Sequence, residues 1–154
     1  MSSCNDCIKF SLNIKDPLLE FLDISTGKYR NREAKFYHAI VHLDHCLNCG
    51  SDNIVHNGHL YSNVRYPALD ASLPVFIRIA KERIICRNCQ TNSMAQTELV
   101  DKYCCISNAT KRKIIGSLTE DWSMKSIARQ TSTSTNTVQR VLEKYSPSLS
   151  LIHI

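Results

Sequence analysis

Cys46-Leu47-Asn48-Cys49-Gly50 and Cys86-Arg87-Asn88-Cys89 decide the reading of this chain. Each is a thiol pair with a two-residue spacer, which lets both sulfurs reach one ion. Zinc favours four ligands in a tetrahedron, and four thiolates satisfy it. Gly50, directly after Cys49, suits the tight left-handed turn such a loop needs. Thirty-six residues separate Cys49 from Cys86, against roughly 15–20 in the compact pattern. The spacing therefore leaves alternatives open: reduced buried cysteines, or a site completed by His56, His59, Cys104 or Cys105. A redox dithiol is disfavoured, because neither pair follows a strand and opens a helix. The candidate metal ligands are Cys46, Cys49, Cys86 and Cys89. The cofactor they point to is structural Zn2+, since a full thiolate set leaves no position for a reactive water.

Between the pairs lie Ile54 to Tyr61 and Val75 to Ile79, both rich in β-formers. Asn57-Gly58 is a hairpin turn signal. The picture is a small zinc-clamped β-ribbon over residues 46–89, in which metal supplies much of the folding free energy.

Upstream, residues 1–45 read as a strand and helix segment. Phe10, Leu12 and Ile14 alternate with polar residues and suggest a strand. Asp16-Pro17 stops it and opens a helical turn through Leu18, Leu19, Phe21 and Leu22. Gly27 to Arg32 reads as a polar loop, and Phe36 to Leu43 as a strand leading into the first thiol pair. Cys4 and Cys7 repeat the two-residue spacing alone near a terminus and read as incidental. His38, His42 and His45 read as ordinary polar histidines.

Downstream, residues 90–106 read as a linker. From Ser107 the pattern turns helical. Asn108 can cap a helix to Leu118, with Ile114, Ile115 and Leu118 inward and Lys111, Arg112 and Lys113 outward, where they are expected to contact DNA whatever its sequence. Ser123 caps a second helix that buries Ile127 and Ala128. Ser134 caps a third, in which Val138, Val141, Leu142 and Tyr145 fall at i, i+3, i+4 and i+7. Ser146-Pro147 ends it. Over residues 107–145 this is helix-turn-helix spacing, with Ser132 where the turn commonly holds glycine. Thr135, Asn136, Gln139 and Arg140 at the front of the third helix suit base edges: Asn and Gln pair with adenine, Arg with guanine. Ser134, Thr137 and Lys144 suit phosphate.

The bulk numbers agree. The net charge is +5, and the excess sits in the last third, which favours a polyanion partner. Hydrophobic residues at 43% and charged residues at 21% exclude disorder as the default. No apolar run approaches the roughly 18 residues that span a bilayer, so no membrane partner is expected. No secretory signal opens the sequence, so a cytoplasmic protein with reduced thiols is expected. The fold class is α+β: the zinc-clamped β-ribbon followed by a three-helix helix-turn-helix domain, with a tail at 146–154.

Thiol pair, β-run, a second pair closing on Arg83-Ile84-Ile85-Cys86-Arg87-Asn88-Cys89, then a basic helix-turn-helix: this order resembles the N-terminal half of bacterial insertion-sequence transposases of the ISL-three family. The resemblance covers roughly Phe36 to Tyr145. It implies that Cys46, Cys49, Cys86 and Cys89 hold zinc. It also implies that Ser123 to Tyr145 helps recognise terminal inverted repeats in double-stranded DNA, on the nucleoid. A homodimer or contact with full-length transposase is the further partnership it allows. In that family an acidic-triad catalytic domain follows. Here the nine residues after Tyr145 carry no acidic residue. A chain truncated before that domain, without transposase chemistry of its own, is therefore expected. The alternative is a zinc-containing helix-turn-helix transcription regulator, and a thiol-based redox or metal sensor is a third reading.

Overall fold

The computed structural model describes residues 2–67, 73–101 and 104–152. The thiol of Cys4 and the side chains of the tail from Ser146 lie outside the described residues.

The chain opens with helix α1 (Ser2–Leu12), where alternation led us to expect a strand. Three alternating positions are too few to separate period 2 from period 3.6. Ile8 and Leu12, four apart, are buried, while Phe10 is 89% exposed. Asn13 closes the helix at φ +56. The Ile14 amide donates back to the Lys9 carbonyl at 2.9 Å, a Schellman closure. The expected helical turn after Pro17 is instead strand β1 (Leu19–Tyr29), with Leu19 and Phe21 inward and Glu20 and Leu22 outward. Buried Asp16 explains the change of direction. Its carboxylate accepts from the amides of Leu18 and Glu98 and from the Thr97 hydroxyl, tying the start of β1 to a distant loop.

Strand β2 (Arg32–Val41) follows β1 across a two-residue turn, Arg30-Asn31, at φ +49 and +64. The loop expected over Gly27 to Arg32 thus shrinks to its tip. Gly27 sits inside the strand, where an added Cβ would stand 3.2 Å from the Phe36 ring.

Strands β3 (Ile54–Tyr66), β4 (Val75–Cys86) and β5 (Asn92–Met94) complete the sheet. Its order is β1-β2-β4-β3, with β5 also on β4. β2 and β4 run parallel, so the first forty-five residues and the cysteine segment share one sheet. The expected separate ribbon over residues 46–89 is corrected by this pairing. The sheet's core joins Ile8, Leu12, Leu19, Val41, Val64, Ile77, Ile79 and Ile84. Asn57-Gly58 makes no hairpin turn either. It lies inside β3, where the register with β4 slips between His56 and His59, and Gly58 takes φ +76. Continuous pairing on both sides turns a local turn signal into a bulge.

Residues 90–106, read as a linker, contain β5 and the buried Ala95, Leu99 and Val100. Beyond them stand α2 (Asn108–Thr119), α3 (Met124–Gln130) and α4 (Thr135–Ile152) around a second core of Ile114, Ile127, Ala128, Val138 and Val141. The cap of α2 is Ser107, one residue before the expected Asn108. The expected stop at Pro147 does not occur: α4 continues to Ile152. A proline removes one helical N–H and bends a helix more readily than it ends one. Among the described residues no helix is long and apolar enough to cross a membrane.

Candidate metal centre and nucleic-acid interface

The antiparallel pairing of β3 and β4 brings the two thiol pairs together. Ile54, just after the first pair, lies opposite Cys86, which opens the second. The long sequence gap is the length of the two strands and the connection between them, so it separates nothing in space. Each pair then folds into a matching tight loop. The Gly50 amide donates to the Cys46 carbonyl at 2.9 Å, and the Cys46 amide to Ser51 at 2.8 Å. On the other side the Cys86 amide donates to Thr91 at 3.0 Å. The residue after each second cysteine is left-handed: Gly50 at φ +74 and Gln90 at φ +59.

The four sulfurs of Cys46, Cys49, Cys86 and Cys89 lie within 4.8 Å of one another. Cys46 and Cys89 are 3.5 Å apart, and Cys49 and Cys86 are 3.6 Å apart. A tetrahedron of sulfurs about 2.3 Å from a central ion has edges of about 3.8 Å, so the cage fits a metal. The surroundings fit as well. Amides of Asn48 and Cys89 point at the sulfurs of Cys46 and Cys86, and Asn88 approaches Cys49. The Cys46 thiol is held below its ordinary range, first by the Cys49 amide. Cys89 falls to about 5, first through the Thr91 hydroxyl. Cys86 feels the Cys89 amide, which lowers it, yet burial and the thiols of Cys49 and Cys89 carry it up to about 11. Four thiolates this close repel one another, and a bound dication relieves that repulsion. His56 and His59, considered as alternative ligands, are absent from the cluster; His56 Nδ1 lies 2.8 Å from Glu82. Cys104 lies beside Lys111.

The helices supply a different chemistry. Ser123 Oγ caps α3 by accepting from the Ser126 amide. Ser134 Oγ does the same for α4 from Thr137 at 3.2 Å. Between them Ser132 adopts φ +53, the conformation for which glycine is usual. Thr135, Asn136, Gln139, Arg140 and Lys144 are exposed along α4, with Ser134 and Thr137 at its start. Gln139 is engaged with Glu143 at 3.1 Å, and Lys144 lies over the Tyr145 ring. The basic run on α2 does not form one patch, because successive residues turn by about 100°. Arg112 is exposed and Lys113 is half-buried. Lys111, expected to face outward, is turned inward and bonds Asp101 at 2.8 Å. Burial works against its ammonium, but the Asp101 carboxylate offsets that and its pKa lies above the ordinary value.

One feature of the interface escaped the sequence reading. The helices dock on the end of β3 through Arg65. Its carbonyl accepts from the Ser107 amide and the Thr110 hydroxyl, and its guanidinium reaches the Ser132 carbonyl and the Tyr29 hydroxyl. Between the tip of the β1–β2 hairpin and the helices a concavity opens, lined by Arg30, Arg32, Arg65, Lys113 and Arg129. The N-terminal segment carries no net charge, so nothing in composition pointed to its hairpin.

A four-cysteine cage able to hold a metal ion stands at one end of the sheet, and a helix-turn-helix with an exposed front docks on the same sheet. Residues 95–146 match the model of the helix-turn-helix domain of transposase family ISL3. The chain therefore carries, over its last third, a segment similar to the DNA-binding helix-turn-helix of ISL3 transposases, beside a four-cysteine cluster able to hold a metal ion. No curated protein and no solved structure matches the chain.

Proposed function

We propose that this chain binds the terminal inverted repeats of an insertion sequence, as the DNA-recognising part of a transposase. The observation that carries the reading is the ISL3 helix-turn-helix over residues 95–146, whose third helix presents Thr135, Asn136, Gln139 and Arg140 to solvent. In this reading α4 lies in the major groove with those side chains against base edges, while Ser134, Thr137, Arg112, Lys113 and Lys144 meet phosphates. Lys111 holds α2 to Asp101 rather than meeting DNA.

Zn2+ is the metal the cage suits best, because four thiolates in a tetrahedron match its preference. Its role is structural. The ion fixes the two loops at the end of the sheet remote from the helices, and the full thiolate set leaves it no open position for a reacting water. Strand cleavage in this reading belongs to carboxylate chemistry outside these modules.

Selection of bound duplexes from a random pool, with zinc measured on the same sample, tests both halves. The expected result is enrichment of a motif shared with the ends of an insertion sequence, at one zinc per chain. Enrichment of a promoter-like palindrome by a dimer favours a transcription regulator. No enrichment at any salt concentration overturns the proposal.

A further inference from the structure

The concavity between the hairpin and the helices has a volume of about 1370 Å³. That exceeds the roughly 300–1,000 Å³ of a small-molecule pocket, and its character is different. Among the described residues its lining holds five basic side chains against one acidic residue, Glu33. It also includes Ser134 and Thr137, so it opens directly onto the start of α4. The residues come from three separate places: the β1–β2 tip, Arg65 at the end of β3, and the helices. Arg65 and Arg30 are held there by contacts within the protein. Arg65 is bonded to Tyr29 and Ser132, and its guanidinium lies 5.7 Å from the Tyr29 ring and 5.9 Å from the Phe76 ring. Arg30 stacks over Tyr29 at 5.4 Å. The Tyr29 phenol titrates below its ordinary value, first through the Arg65 hydrogen bond, against some burial, with Arg65 and Arg30 adding their charge.

The hairpin tip supplies the second argument. Two-residue turns with both central residues at positive φ favour Asn-Gly or Asp-Gly. Here the first of them is Arg30, at φ +49, where a long side chain strains the backbone. Such strain persists where another function keeps the residue. At this tip the function available is charge: Arg30 and Arg32 are both exposed and both line the basic concavity.

We infer that the β1–β2 hairpin is a second DNA-contacting arm: the concavity seats the phosphate backbone of the duplex that α4 reads, with Arg30 and Arg32 as its contacts. This rests on the DNA-binding reading above and extends it to residues outside the helix-turn-helix. The arm adds affinity and fixes how the duplex lies across the molecule, and it reads no sequence.

The test uses the full chain with bound metal and a labelled duplex of mixed sequence, titrated over a range of KCl concentrations. The variants are Arg30→Asn and Arg32→Gln, singly and together. Arg83→Gln, an exposed charge near the cysteine end of β4, serves as a control. Asn suits the left-handed turn, so Arg30→Asn is expected to melt at or above the parent temperature. Its affinity nonetheless falls about 3–10-fold, and the slope of log K against log salt flattens by about one per arginine removed. Arg83→Gln changes both much less. Stable Arg30→Asn and Arg32→Gln proteins with unchanged affinity and slope overturn the arm, while loss of binding in Arg140→Ala alone would leave the helix reading standing. A parent chain that binds no duplex overturns both.

Discussion

At the scale of single residues, the left-handed positions are the most informative. Gln90 and Ser132 hold φ +59 and +53 without being glycine. Each pays about 1–2 kcal/mol for its Cβ, less the roughly 0.4–1 kcal/mol that a glycine would lose through a freer unfolded chain. Gln90→Gly and Ser132→Gly should therefore each stabilise the protein by about 0.5–1 kcal/mol in urea unfolding. Gly50→Ala, at φ +74, should move the other way by a similar amount. The Ser132 carbonyl that Arg65 holds is main chain, so Ser132→Gly keeps that contact. A destabilised Ser132→Gly would mean that the serine hydroxyl does something the geometry omits. Arg140 is the residue on which the recognition reading is most exposed to test. Arg140→Ala should weaken binding to the selected site by about 1–3 kcal/mol if it grips guanine through both nitrogens. Equal loss on all sequences would make it a phosphate contact.

At the scale of elements, α1 offers a discriminating pair. On a strand, Phe10, Leu12 and Ile14 would share one face. On the helix, Leu12 is 2% exposed and Phe10 is 89% exposed. Leu12→Ala should cost about 2–5 kcal/mol, whereas Phe10→Ser should change stability by under about 0.5 kcal/mol. Equal losses in thermal or urea unfolding would return the segment to a strand. The contrast also shows which elements the sequence discloses. The three C-terminal helices were legible because each carries its own 3.6-residue stripe, and the last two their serine caps, whereas the cap of α2 fell one residue earlier than expected, on Ser107. Ser123, Ser134, Ile127, Val138 and Val141 do in the structure what their spacing implies. The cysteine cage was legible for a similar reason, since a two-residue spacer is a local fact. The sheet was not. Its decisive pairing, β2 parallel to β4, joins Lys35 to Val75 through no local signal. Asn57-Gly58 misled because neighbouring strand pairing overrode a real turn preference. Arg30, Arg32 and Arg65 stayed invisible because what unites them is the sheet's topology.

At the scale of the whole molecule, the two functions sit at opposite ends of the same strands. The cage closes on Cys86, where β4 ends, and the helices dock on Arg65, opposite Phe76 near its start. Ten residues at about 3.3 Å each put roughly 33 Å between those positions along the strand. The two apolar cores are likewise distinct, one in the sheet and one among the helices. Metal removal should therefore act locally. With free metal at about 100 times its dissociation constant, binding stabilises the chain by about 2.7 kcal/mol, which corresponds to roughly 5–10 °C in Tm. Cys86→Ser, or a strong chelator, should lower Tm by about that amount. In hydrogen exchange the loss of protection should fall on residues 43–54 and 84–94, while amides in 107–145 keep theirs. DNA binding should survive below the new transition, because the four cysteines lie at the end of β4 away from the Arg65 dock. If the helices lose protection together with the cysteine loops, the sheet transmits the loss of the ion along its full length, and the metal is then a condition of recognition rather than a remote brace.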